Sequence, residues 1–166
     1  MTLRVGVLAS GEGTNLQAIL DRLHGRESVE VVAVGSDQPR APALGRAARA
    51  GVPTAEFPLE GYPDRVINVH PALLPAFPGI GAVEQALAYG VKVFGVTVHF
   101  VDEGVDTGPI ILQRAVELPA ATAANEVHAA LRPLEHALLA EAVRLLARGA
   151  IRRDPEHPRR VLMASA

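Results

Sequence analysis

The chain of 166 residues has no cysteine and no tryptophan, and only 4% of its residues are aromatic. Without cysteine there is no disulfide and no thiolate metal site. Charge of one sign is also lacking: 16 Lys and Arg stand against 18 Asp and Glu. That balance removes a general attraction to nucleic acid or to acidic membranes. No apolar run reaches the roughly 20 residues that cross a bilayer, and the N-terminus has no signal-peptide layout. The expectation is a soluble, cytoplasmic protein that handles small molecules, with homodimer formation left open. Hydrophobic residues still make up 49% of the chain, enough for one domain with a full core.

The first half reads as alternating strands and helices. Leu3–Ala9 is an apolar strand, Ser10–Gly13 a turn, and Thr14–Leu23 a helix with Leu16, Ile19, Leu20 and Leu23 on one face. Val29–Gly35 is a second strand, Ala43–Ala50 an alanine-rich helix ended by Gly51, and Val52–Phe57 a third strand. This order predicts an α/β fold with a mostly parallel sheet and helices on both faces. In the second half, a strand carrying Asn68 and His70 is followed by a short helix at Ala82–Tyr89. Strands at Lys92–Phe100 and Pro109–Glu117 come next, then a long helix from Thr122 to Arg148 and an edge strand at Val161–Met163. Pro133 is expected to kink or split the long helix. There is no internal repeat and no second domain.

One joint is too short. Only Pro58–Arg65 separates the third strand from the Asn68/His70 strand. Parallel neighbours need a crossover of about a dozen residues. Either these strands run antiparallel or a crossover unit is missing.

Three segments carry chemistry. In Asn68-Val69-His70-Pro71, period-2 alternation sets a carboxamide and an imidazole on one face of a strand end. Both can donate to a developing oxyanion, and His can also shuttle a proton. The loop after His70 is braced by Pro71, Pro75, Pro78 and Gly79. Second, Ser10-Gly11-Glu12-Gly13-Thr14-Asn15 lies between a strand and a helix. Glycines there let backbone amides approach a phosphate, or the segment is only a tight turn capped by Thr14 or Asn15. Leu16 replaces the third glycine of a dinucleotide fingerprint, which favours a single phosphomonoester. Third, Val98-His99-Phe100-Val101-Asp102-Glu103-Gly104-Val105-Asp106-Thr107-Gly108-Pro109 puts three carboxylates in a glycine-punctuated loop, which could be a solvated turn or could supply a carboxylate that orients the histidine. A metal loop would show an alternating Asp-x-Asp-x-Asp-Gly layout, which is missing.

Together these segments resemble the phosphoribosylglycinamide formyltransferase family, folate-dependent enzymes of purine synthesis. The likeness rests on Ser10–Ile19, Ile67–Gly79, Gly95–Ile111 and Leu134-Glu135-His136. It implies a formyltransferase-type, Rossmann-like sheet in one domain, with a phosphate-binding half at 1–65 and a catalytic half at 66–166. It implies 10-formyltetrahydrofolate as cosubstrate, glycinamide ribonucleotide as substrate, and no metal. Asn68, His70 and Asp106 match the catalytic trio. Gly13, Thr14 and Asn15 match the phosphate cradle, with Glu135 reaching the substrate from the last helix. Arg65, Asn68 and the loop Asp102, Glu103, Gly104, Val105 and Asp106 match the folate site. The resemblance also implies about forty further residues between Arg65 and Val66, enough for a helix and a central strand. In the family this segment carries a Leu-Ala-Gly-Phe-Met-Arg-Ile-Leu-like motif that lines the folate pocket. Its loss is expected to leave two sheet segments flanking a strand-sized vacancy. A non-catalytic, phosphate-binding remnant and another folate formyltransferase or deformylase are the alternatives.

Overall fold

The computed structural model describes residues 1–9, 11–36, 38, 40–54 and 65–164. The N-terminal elements are β1 (Leu3–Leu8), α1 (Thr14–Arg22), β2 (Val29–Gly35) and α2 (Pro42–Arg49). β1 and β2 pair in parallel, and Thr54 adds one parallel bridge to Val34. The third strand expected at Val52–Phe57 is therefore seen only as this bridge, and its residues 55–57 lie outside the described residues. So does most of the connection 58–65. α2 starts one residue earlier than periodicity alone suggested, because Pro42 needs no backbone donor in the first turn.

The C-terminal elements are β3 (Ile67–His70), α3 (Ala82–Tyr89), β4 (Val93–Phe100), β5 (Ile110–Glu117), α4 (Ala124–Ala147), β6 (Ile151–Arg153) and β7 (Val161–Met163). β3, β4 and β5 form an antiparallel sheet with β4 in the middle. β4 is buried along its length after Val93, as an interior strand covered on both faces should be. The expected edge strand at Val161–Met163 pairs with β6, a partner that three polar-flanked residues did not announce.

Pro133 does not split α4, which runs as one helix through it. The proline is exposed, so the carbonyl it leaves unpaired can reach water. Buried residues on both sides, Val127 and Leu131 before it and Leu138 and Val143 after it, anchor the helix to the body of the protein. α4 also joins the two halves. Leu139, Ala140 and Val143 belong to a core with α1, β2 and α2, while Val127, Leu131, Leu138 and Ala142 belong to a core with α3, β4 and β5.

Candidate active site

The antiparallel register places Asn68 opposite His99 and His70 opposite Thr97. Four polar side chains thus share one face of otherwise apolar strands. A bulge at Val98/His99, where the β4–β5 register slips, lies next to this group, where bulges commonly re-aim a side chain.

Asp106 closes the group from the β4–β5 loop. Its Oδ2 lies 3.2 Å from His70 Nδ1 and accepts the Gly79 amide at 2.8 Å. Its Oδ1 accepts from Asn68 Nδ2 at 3.3 Å and lies 3.4 Å from His99 Nε2. Asp106 adopts φ 53, a left-handed conformation that is strained for most residues with a side chain but better tolerated by Asp. Holding it there aims both carboxylate oxygens at the strand end, and such strain gathers at functional positions.

His70 is 4% exposed. Its Nε2 lies 2.8 Å from the Phe77 carbonyl, and Phe77 also has a positive φ, 53. A carbonyl and a carboxylate both accept, so only a ring protonated on both nitrogens donates to both at once. Asn68 Nδ2 faces Asp106 and, at 3.4 Å, His99 Nε2. His99 Nδ1 faces the Phe100 carbonyl at 2.8 Å and therefore carries a hydrogen, leaving Nε2 able to accept from Asn68. In this arrangement the donors of Asn68 and His70 are turned inward, and a ligand would have to draw them out.

The loop after His70 is pinned by residues that the sequence reading did not single out. The Thr97 hydroxyl donates to the Ala72 carbonyl at 2.7 Å and accepts from the Leu74 amide at 3.1 Å. Gln113 Nε2 donates to the Leu74 carbonyl and to Thr97 Oγ1, both at 2.9 Å. His99 lies in the polar segment after Val98, but sequence alone assigned it no role of its own. A signal was present: Thr97-Val98-His99 repeats the polar–apolar–polar spacing of Asn68-Val69-His70 inside an apolar strand.

In the Asp102–Asp106 loop, Asp102 acts on its own turn. The Thr107 hydroxyl donates to it at 2.6 Å and holds it below the usual carboxylate value; the Gly104 amide at 3.1 Å adds to this. Arg159 of the β6–β7 hairpin donates to the Thr107 carbonyl at 2.9 Å. Glu103, Gly104 and Val105 are exposed, as is Arg65 at the entrance to β3.

The glycine-rich turn forms a second cluster. Gly13 caps α1 with φ 70, and no side chain caps the helix. Thr14 and Asn15 therefore do not serve as caps, and the first-turn amides remain available to an anion. Gly13 is required by space too, because a Cβ there would sit 2.7 Å from that of Ala43. Arg46 of α2 braces the turn by donating to the Glu12 carbonyl at 2.7 Å. Asn15 Nδ2 donates to Glu135 Oε2 of α4 at 3.4 Å, while Asn15 Oδ1 is buried without a partner. A cleft of about 250 Å³ opens beside Thr14, lined by Gln17, Asp21, Arg22, Arg46 and His136. Burial pushes His136 below its ordinary value, against the opposing pull of Glu135. Among the described residues no group of three or more His, Cys, Asp or Glu could hold a metal ion, and no helix is long and apolar enough to cross a membrane.

An Asn–His–Asp group thus stands at a strand end of an α/β fold, and the comparisons place that fold in the class of formyl transferases. The "Formyl transferase" family model matches residues 3–65 and 55–143. A Bacillus subtilis phosphoribosylglycinamide formyltransferase is 34% identical over 173 positions, covering 80% of this chain and 89% of the relative. One from Mycobacterium tuberculosis is 37% identical over 183 positions, covering 87% and 85%. Among solved structures, glycinamide ribonucleotide transformylase 1 from Symbiobacterium toebii superposes with a TM-score of 0.89 at 38% identity, covering 99% of this chain and 95% of that one. Phosphoribosylglycinamide formyltransferase from Anaplasma phagocytophilum gives 0.91 at 29% identity, covering 99% and 96%. The chain belongs to the phosphoribosylglycinamide formyltransferase family.

The alignments also measure a difference. The match to the Bacillus subtilis relative spans 173 positions but covers only 80% of 166 residues, so about forty of its positions have no residue here. The two stretches matched by the family model meet at residues 55–65, immediately ahead of β3.

Proposed function

We propose that this protein transfers a formyl group from 10-formyltetrahydrofolate to the primary amine of glycinamide ribonucleotide in purine synthesis. The observation that carries the reading is the Asp106 carboxylate, which gathers Asn68, His70 and His99 at one strand end in a chain of this family. The amine attacks the formyl carbon, and its carbonyl oxygen becomes an oxyanion. Asn68 Nδ2 and the His70 imidazolium donate to that oxygen, each donor being worth about 3–4 kcal/mol in the transition state. Asp106 orients the His70 ring through Nδ1 and helps to organise the water that carries the amine's proton to the departing folate nitrogen.

The halves divide the work. Gly13, Thr14, Asn15 and Glu135, with the uncapped start of α1, take the phosphate and ribose. The loop Asp102–Asp106 and Arg65 border the folate. We place the protein in the cytoplasm, working on small molecules and without a metal.

A second reading is favoured by the forty absent positions: a phosphate-binding protein that no longer seats a folate. The test offers formyltetrahydrofolate with glycinamide ribonucleotide, methionyl-tRNA or water as acceptor. Formylated ribonucleotide supports the first reading. Transfer only to the tRNA or to water assigns a sister activity. No transfer, with calorimetric binding of the ribonucleotide but not of a folate analogue, establishes the second.

A further inference from the structure

Asp106 stands on a strained backbone. Its φ of 53 is left-handed, and a residue with a side chain stays there only where its surroundings over-determine it. Thr107, the next residue, is where they do so. Its hydroxyl donates to Asp102 Oδ1 at 2.6 Å, and its carbonyl accepts from Arg159 Nη1 at 2.9 Å. Gly108 follows so close to the Phe100 carbonyl that a Cβ there would collide with it. The Phe100 amide then donates to the Pro109 carbonyl at 2.9 Å. Of these four ties, the one from Arg159 alone comes from outside β4 and its loop.

Arg159 is exposed, yet its hairpin delivers it on a firm support. β6 and β7 pair from Ile151↔Met163 to Arg153↔Val161, and Ile151 and Val161 belong to the core beneath β4 and β5. The turn between the strands is bonded throughout. Asp154, itself buried, accepts the amides of Glu156 and His157 at 3.0 and 3.4 Å, and its own amide donates to the Arg160 carbonyl at 2.9 Å. The Arg160 amide donates to the His157 carbonyl at 2.7 Å, and Arg153 Nη2 donates to the Pro158 carbonyl at 3.1 Å. Pro155 and Pro158 restrict the backbone further. A turn held in this way loses little more backbone freedom when Arg159 makes its bond.

We infer that Arg159 is a positioning residue for Asp106: the C-terminal hairpin, through the Thr107 carbonyl, holds the backbone that aims the Asp106 carboxylate at β3. Its importance to the reaction rests on the role proposed above for Asp106. Asp106 Oδ2 accepts the Gly79 amide at 2.8 Å and lies 3.2 Å from His70 Nδ1. Releasing Thr107 lets the left-handed residue relax, and both contacts lengthen together. The Gly79 amide therefore reports the place of the carboxylate without any turnover. Arg159 acts through Thr107 and not on the reacting atoms.

The test compares Arg159→Ala, Arg159→Lys and Arg152→Ala in the full chain, Arg152 being an exposed arginine of the same hairpin. Hydrogen exchange of the Gly79 amide is recorded together with kcat and KM for glycinamide ribonucleotide. Arg159→Ala should speed Gly79 exchange by about three- to tenfold with the β4 amides unchanged, and should lower kcat by a similar factor at constant KM. Lysine can still donate to one carbonyl, so Arg159→Lys should recover most of both losses. Arg152→Ala removes the same charge and should leave both readouts at the parent level. Unchanged Gly79 exchange in Arg159→Ala overturns the inference. So does an equal change in Arg152→Ala, which makes it an effect of net charge, or faster exchange throughout β4, which makes it a general loosening. Gly79 exchange decides the inference even in a chain that transfers no formyl group. Faster Gly79 exchange with kcat unchanged supports the positioning and removes Asp106 from the proposed mechanism instead.

Discussion

Replacing Asp106 by Asn tests the centre of the proposed mechanism with little change of volume. The carboxylate faces four groups: His70 Nδ1 at 3.2 Å, His99 Nε2 at 3.4 Å, Asn68 Nδ2 at 3.3 Å and the Gly79 amide at 2.8 Å. An Asn side chain can keep one acceptor, for Gly79 and His70. Its amine then meets the Asn68 amine, donor against donor, and the charge opposite the His70 ring is gone. Unit charges at about 4 Å interact by about 4 kcal/mol at an effective dielectric near 20. Asp106 is 14% exposed, so solvent screens part of this, and we expect about 3 kcal/mol to be lost from the transition state. Turnover should fall by about 100- to 200-fold. The assay is kcat for formylation of glycinamide ribonucleotide at saturating substrates, with circular dichroism and thermal unfolding to show that the fold persists. A folded Asp106→Asn protein with kcat within about threefold of the parent would refute the assigned role.

Three further outcomes are expected. Gly13→Ala forces a left-handed residue to carry a Cβ 2.7 Å from Ala43; urea unfolding should show a loss of about 2–4 kcal/mol and calorimetry a weaker grip on phosphomonoesters. Unchanged stability would mean that α2 yields freely. Pro133→Ala restores a helical hydrogen bond at an exposed position of α4 and should raise stability by about 1–3 kcal/mol; a lower melting temperature would contradict this. His136 is depressed by burial, so the unfolded chain takes up its proton first as pH falls. Its contribution is fully present above the ordinary value of 6.5 and is lost as pH falls below it, through the lower value that His136 has in the fold. Denaturation midpoints at pH 8 and pH 5.5 should converge in His136→Asn, and an unaltered difference would remove His136 as the cause.

Much of the fold is legible locally. The period of Leu16, Ile19, Leu20 and Leu23 encodes a helical face, and these residues are buried together. Gly90 ends α3 with φ 85, as a helix-stopping glycine should. What local sequence left open was decided over long range. Pro133 allowed either a kink or a split, and α4 stays one helix because two cores hold it along its length. β6 is too short to announce itself and exists because β7 returns beside it. The joint before β3 was readable as a deficit of length, and among the described residues the β1-β2 and β3-β4-β5 sheets share no ladder.

The site divides in the same way. Spacing alone set Asn68 and His70 on one face, and composition alone put glycines ahead of α1, because strand and helix periods are properties of neighbouring residues. Spacing could not choose among Asp102, Glu103 and Asp106. Tertiary structure chose Asp106, whose left-handed backbone carries its oxygens across to β3 and β4, and left Asp102 bonded within its own loop. It also brought in His99, through a pairing register that depends on strands thirty residues apart. Which groups can form the site follows from local sequence; which of them meet was decided by packing between distant segments.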